Sequence, residues 1–213
     1  MDREGRPFRK LIFPQYQEPS SALVKMYLNG EFGPHPSDVN PYAASTFYAV
    51  DRYASYQKVW GTAYRAGELI LSDRYTTSNA VHQTGKLPEG EWEEFLRWLF
   101  TFEYGRLGLP EPDLVLWLDM PTERAVEMLR RREGETHTKG DIHEVDPDYL
   151  AACRDSALQA ARLLGWQVIP CVTWDGRLRT VEEIASGKLG MRKIEQYQVS
   201  YVNLENEDRA EVI

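Results

Sequence analysis

A chain of 213 residues with 42% hydrophobic and 12% aromatic content is long enough for one domain with a substantial core and too aromatic for a disordered segment. Its formal charge of −8, half of it from residues 195–213 where five acids face Arg209, argues against nonspecific nucleic-acid binding. Two cysteines exclude a disulfide framework, no stretch approaches the about 18 apolar residues of a membrane span, and the first residues have no apolar run of the signal-peptide kind, so a soluble cytoplasmic protein is expected.

Arg9 to Pro14 reads as a strand ended by proline. Ser20 to Asn29 reads as a helix, and the glycines and prolines between Gly30 and Pro41 make a loop. Ala43 to Tyr56 reads as an aromatic helix. Leu69 to Ser72 is a short apolar run suited to a buried strand, and Thr76 to Asn79 is a cluster of N-cap residues before another helix. Trp92, Phe95, Leu96, Leu99 and Phe102 recur at helical spacing, with Gly108 and Pro110 ending that element.

Asp113 to Leu118 is nearly continuous in apolar residues, as in a parallel strand covered on both faces. Pro121 suits a first helical turn, Arg130 to Arg132 its end, and Gly134 to Gly140 a mobile polar stretch. Asp146-Pro147 opens a helix that Gly165 closes; Trp166 to Val172 is a last strand, and Thr180 to Glu183 a capping box. Beyond Gly190 the pattern weakens, and Tyr197 to Ile213 reads as a strand or a loose tail. The alternation predicts an α/β fold, a doubly wound parallel sheet with flanking helices. Residues 1–190 form its domain and 191–213 a divergent acidic tail.

Two Asp-Arg-Tyr triplets stand out, Asp51 to Tyr53 and Asp73 to Tyr75. The second falls at the carboxyl end of a strand, just before a helix, where open α/β sheets bind ligands. An acid and an arginine there can hold a metal ion and a phosphate. The first lies inside the aromatic helix, with Arg52 pointing into a cleft.

Together with Phe13-Pro14-Gln15-Tyr16, the stretch Asp73 to Asn79, Pro112 to Pro121, and an arginine-rich segment ending at Asp141-Ile-His-Glu144, these triplets resemble the thymidylate kinase family of nucleoside monophosphate kinases. The resemblance runs from about Arg6 to Ile184. It implies a P-loop nucleoside monophosphate kinase fold, phosphoryl transfer from ATP to dTMP giving dTDP, Mg²⁺ as cofactor, and a homodimer. It also implies a phosphate loop G-x-x-x-x-G-K-S/T after a central first strand, and the sequence contains no such match. The central strand and the loop are therefore expected to be missing. The sheet should then carry a vacant slot, fill it with a substitute strand near Gln198 to Leu204, or be poorly stable.

The resemblance assigns roles to residues. Tyr48 would stack on thymine, Arg52 would donate to its O4, and Asn79 would read its N3. Arg74 would grip the acceptor phosphate, with Tyr16 adding a hydroxyl donor. Phe13, Pro14, Ser78 and Gln83 belong to the same substrate-binding stretches. Asp73 would hold Mg²⁺, and Arg130, Arg131 and Arg132 would close over the phosphates, since phosphoryl transfer needs positive charge more than covalent chemistry. Asp141, His143 and Glu144 would touch the acceptor or the metal shell. His82 stands where many members place a tyrosine beside the sugar, which leaves discrimination at the 2′ position open. Each residue also has an ordinary role: Tyr48 a core aromatic, Arg52 a solvated helix arginine, Asn79 a helix cap, the arginine run a favourable charge at a helix end.

Three functional expectations follow. The first is an ATP-dependent dTMP kinase whose activity is low without a phosphate loop. The second is a noncatalytic nucleotide-binding or scaffold protein that keeps the dTMP pocket. The third, a deoxynucleoside kinase, is disfavoured because Arg74 with Tyr16 suits an acceptor that already carries phosphate.

Overall fold

A computed structural model describes residues 7–136, 142–143, 146–186 and 199–202, the last of these as backbone. Within them the apolar runs become strands: β1 (Arg9–Ile12), β2 (Ile70–Asp73), β3 (Leu114–Asp119), β4 (Gln167–Pro170) and β5 (Val199–Val202). All five pair in parallel, in the order β1-β2-β5-β3-β4. The helices between them are α1 (Ala22–Leu28), α2 (Pro41–Ser55), α3 (Gly61–Arg65), α4 (Thr76–His82), α5 (Trp92–Phe100), α6 (Thr122–Thr136), α7 (Pro147–Leu164) and α8 (Val181–Ser186).

The central place of the sheet belongs to β5. Leu71 pairs with Val199 and Asp73 with Tyr201 on one side; Leu114 pairs with Val199 and Trp117 with Val202 on the other. Of the three outcomes expected for this slot, the structure has the substitute strand, and that strand lies within the stretch read as an acidic tail. Two facing strand edges present unpaired N–H and C=O groups, each costing about 1–3 kcal/mol if buried unsatisfied. A strand from anywhere in the chain that reaches them is therefore held.

Local signals account for most helices. Asn40 caps α2 through Oδ1, which accepts from Tyr42 N and Ala43 N. Asp146 caps α7, its Oδ1 accepting from Tyr149 N at 3.0 Å, and Gly165 at φ 71° ends it. Thr180 and Glu183 form the reciprocal capping box. In α5 the buried residues Trp92, Phe95, Leu96 and Leu99 follow the helical period, and burying a side chain such as Phe95 contributes about 1.5–3 kcal/mol. Both cysteines are free and buried.

Three local readings need correction. The N-cap of α4 is Tyr75, not one of the hydroxyl residues after it, which form the first helical turn. The stretch from Gly134 is helical as far as Thr136, because α6 continues past its arginines with Arg131 paired to Glu135 one turn on. Residues 137–140 lie outside the described residues. Finally, α2 runs on through a π-helical turn, Tyr56–Trp60, into α3, and α5 runs through another, Thr101–Arg106. Such turns carry no pattern in apolar spacing.

The core lies on both faces of the sheet. On one face Trp117 of β3 packs with Val81 of α4 and with Tyr149, Cys153 and Ala157 of α7. Elsewhere Leu11, Phe13 and Ile70 pack with Trp60 and Tyr75. Phe13 N donates to Asp73 O and Cys171 N to Asp119 O, so Asp73 and Asp119 mark the carboxyl edge of the sheet. No described helix is long and apolar enough to cross a membrane.

Candidate functional site

At this edge β2 passes into α4 through Arg74, whose φ is 63°. It is the one non-glycine with positive φ among the described residues. Holding a non-glycine there costs about 1–3 kcal/mol, and such strain gathers at working sites. Ser72 Oγ donates to Arg74 O at 2.6 Å and fixes the turn. Arg74 Nη1 then reaches His82 Nε2, two turns along α4, at 3.4 Å.

The buried residues of α4 line up behind Arg74. Asn79 Nδ2 donates to Ser45 O of α2 at 3.2 Å. That bond uses the amide's donor side and leaves Oδ1 as an acceptor. Ser78 Oγ and both amide atoms of Gln83 are buried with no partner among the described residues. The His82 ring stacks on His143, centroids 5.3 Å apart and planes within 17°. Burial, and next the positive charges around them, drives both imidazoles to the neutral form; the His143 value falls to about 3. Tyr48 of α2 is half-buried and meets Tyr27 of α1 edge to face at 6.4 Å.

Arg52 lies beneath this group, 2% exposed, in a two-point ion pair with Glu103: Nε to Oε2 at 2.7 Å and Nη2 to Oε1 at 2.6 Å. Thr76 Oγ1 donates to the same Oε2 at 2.8 Å. Burial opposes the Arg52 charge, and the Glu103 carboxylate outweighs it, holding the guanidinium above its ordinary value. The expectation that Arg52 simply points into a cleft therefore changes. Two of its nitrogens are committed to Glu103, which anchors the guanidinium in the core. Its neighbour Asp51 accepts from Gln15 N at 2.7 Å and Ser20 Oγ at 2.6 Å, which ties the Phe13 to Tyr16 loop to α2.

The structure thus brings Arg74, Ser78, Asn79, His82, Gln83 and His143 onto or against α4, with Tyr48 and Arg52 on the neighbouring α2. It does not bring all the expected residues there. Phe13 is core, its ring 6.0 Å from Tyr75, and it joins Pro14 through a cis peptide bond. Tyr16 is half-buried in the loop that follows, its carbonyl accepting from Lys25 Nζ at 3.2 Å. Arg130 and Arg131 are exposed on α6, and Arg132 is half-buried. Asp141 and Glu144 lie outside the described residues.

Asp73, 3% exposed at the end of β2, is a single carboxylate of the kind that suits Mg²⁺, which takes one or two carboxylates besides phosphates and water. The described residues contain no group of three metal-ligating side chains. At the end of β3, Asp119 is instead bound at two points by Arg154, at 2.7 and 3.0 Å. A separate cleft of about 140 Å³, lined among others by Thr77, Tyr104, Asp113 and Trp166, shares no residue with the Arg74 cluster.

Glu103 and Ser45 escaped the sequence reading, and so did the tie of Asp51 to the loop at Gln15 and Ser20. The one signal for Glu103 is an acid between two aromatics, Phe102 and Tyr104, in an apolar helical stretch.

The thymidylate kinase family model matches residues 9–171. Thymidylate kinase from Mycobacterium tuberculosis is 30% identical over 188 residues, covering 87% of this chain and 82% of that protein. A probable thymidylate kinase from Methanocorpusculum labreanum is 29% identical over 140 residues, covering 63% and 66%. The structure of a thymidylate kinase from Candida albicans superposes with a TM-score of 0.58 at 18% identity, over 85% of this chain and 77% of that one, a likeness of fold. With more than half of its length matched by the family model, the chain belongs to the thymidylate kinase family.

Proposed function

We propose that the chain binds dTMP at the Arg74–Asn79–Tyr48 cluster, as the phosphoryl acceptor of a dTMP kinase. The observation that carries this reading is the Asn79 amide. With Nδ2 given to Ser45 O, its Oδ1 is an acceptor suited to the N3–H of thymine, whereas cytosine presents a bare acceptor at N3. Tyr48 offers a ring for stacking, and Arg52 Nη1 a donor for O4. Arg74 offers a planar fork for the 5′-phosphate, already held in its strained conformation before a ligand arrives.

Mg²⁺, when bound, supplies positive charge to the phosphates, and Asp73 is the residue that would hold it. Arg132 and its neighbours on α6 are offered as further phosphate contacts. The residues present do not fit the donor. The sequence has no phosphate loop, and the central place of the sheet is taken by β5, so no step is assigned to ATP. Turnover by this chain is expected to be low. The position of β5 also favours a second reading, a noncatalytic dTMP-binding protein.

Calorimetry with dTMP, dCMP and thymidine tests the acceptor reading. Preference for dTMP over both others is expected; equal affinity for dTMP and thymidine removes Arg74 from the phosphate, and equal affinity for dTMP and dCMP removes Asn79 from the base. A dTDP assay with ATP and Mg²⁺ separates kinase from binding protein.

A further inference from the structure

Lys86, just past α4, is half-buried, and its Nζ donates to Tyr27 Oη at 2.8 Å and to Val39 O at 3.2 Å. Tyr27 is fully buried, with the ammonium 4.8 Å from its ring centre. An ammonium only donates. The Tyr27 oxygen therefore accepts from Lys86 and gives its own proton onward. The nearer acceptor is His143 Nε2, at 2.8 Å against 3.5 Å for Pro36 O. The shorter contact favours the arrangement in which His143 is unprotonated at Nε2 and accepts from Tyr27.

The same logic holds at the other end of the imidazole stack. A guanidinium also only donates, so His82 Nε2 accepts from Arg74, and the His82 proton sits on Nδ1, 3.7 Å from Cys153 Sγ. Tyr149 Oη donates to His82 O at 2.7 Å and keeps the backbone under the ring in place. The result is a continuous chain, Lys86 to Tyr27 to His143, stacked on His82, to Arg74. A donor-only cation sets the tautomer at each end.

We propose that Lys86 and Tyr27 are positioning residues of the acceptor site, which hold the His143–His82 stack, and through it the Arg74 guanidinium, for a phosphate monoester. The proposal rests on Arg74 as the phosphate-binding residue. It also implies a pH dependence. Around Lys86 stand Tyr27 of α1, His82, His143, and Cys153 and Tyr149 of α7; Arg74 lies beyond the stack and Asp146 beyond Cys153. Burial brings the Lys86 value down to about 7, while the Cys153 thiol, pushed up by burial to about 12, stays protonated and neutral. Above neutrality the Lys86 amine is uncharged and can itself accept, so Tyr27 no longer has to give its proton to His143.

The test compares dTMP and thymidine affinities by calorimetry from pH 6.5 to 8.5 for the full chain, Tyr27→Phe and Lys86→Met. The second phosphate ionisation, near 6, is largely complete in this range. Each variant should lose about two- to tenfold in dTMP affinity, the worth of a hydrogen bond, with thymidine unchanged. The wild-type preference for dTMP should decline as pH rises through about 7, and the Lys86→Met preference should stay flat. Equal losses for both ligands, or a pH profile unchanged in Lys86→Met, overturn the proposal. A wild-type chain that binds neither ligand defeats the dTMP reading instead. The positioning claim is then decided on the ligand-free chain by histidine ¹⁵N NMR. Tyr27→Phe should shift the His82 ring signals as well as those of His143, and unshifted His82 signals overturn it.

Discussion

Glu103 grips Arg52 at two points inside the core, with neither side chain more than 2% exposed. A buried pair of this kind gains its Coulomb energy against a large desolvation cost, so its net contribution is small, while either member alone is expensive. Glu103→Leu should destabilise the chain by about 3–5 kcal/mol, because it strands a buried guanidinium. The Arg52→Met/Glu103→Leu double variant should lose much less than the two single changes together. Urea denaturation of the four proteins gives the coupling, and additive losses would show that the pair is not a unit.

Arg74 carries left-handed backbone strain, which under the proposed function serves binding rather than folding. Arg74→Gly relieves the left-handed backbone and removes the guanidinium together. Stability should be unchanged or higher by up to about 1 kcal/mol, since glycine's entropy cost offsets part of the relief. The preference for dTMP over thymidine should disappear. A thermal melt and a titration on the same sample check both halves; a lower melting temperature would mean that the Arg74 side chain is structural.

Buried neutral histidines make the fold acid-sensitive in a definite window. His143 titrates near 3 when folded against an ordinary value of 6.5, and His82 is lowered in the same direction. Their contribution is present above pH 6.5, where both states are neutral. It is lost as pH falls towards 3, because the unfolded chain takes up the protons first. For His143 the drop should reach up to about 5 kcal/mol at about 1.4 kcal/mol per unit, and His82 adds a loss of the same sign. Denaturation midpoints at pH 7, 5 and 4 measure it, and His143→Asn should flatten the slope. An unchanged slope would place the acid sensitivity elsewhere.

The central position of β5 makes its backbone decisive. Ser200 pairs with Ser72 on one side and Val115 on the other. Ser200→Pro removes an N–H from the middle of the sheet and should cost about 2 kcal/mol or more. The edge change Lys10→Pro, in β1, should cost less. Cooperative melting followed by circular dichroism ranks the two, and a silent Ser200→Pro would remove β5 from the centre of the sheet.

Much of the fold was legible in the sequence because its signals are local. The apolar runs at 69–72 and 113–118, the helical period of Trp92 to Leu99, the caps at Asp146 and Gly165, and the Thr180–Glu183 box each need only a few adjacent residues. The placement of Asp73, Arg74 and Asn79 was legible for the same reason, since a strand end followed by a helix start puts them at the carboxyl edge of the sheet. What the sequence could not decide is which distant groups meet. Glu103 reaches Arg52 across fifty-one positions because α5 and its π turn pass under α2, and no period encodes that crossing. Tyr27 becomes the link between Lys86 and His143 only once α1, α4 and the 142–143 turn converge. The slot between β2 and β3 is filled by Val199–Val202. A short, partly polar run is a weak strand by itself, and it is the unpaired hydrogen-bonding edges of two neighbouring strands, on both sides at once, that make it the centre of the sheet.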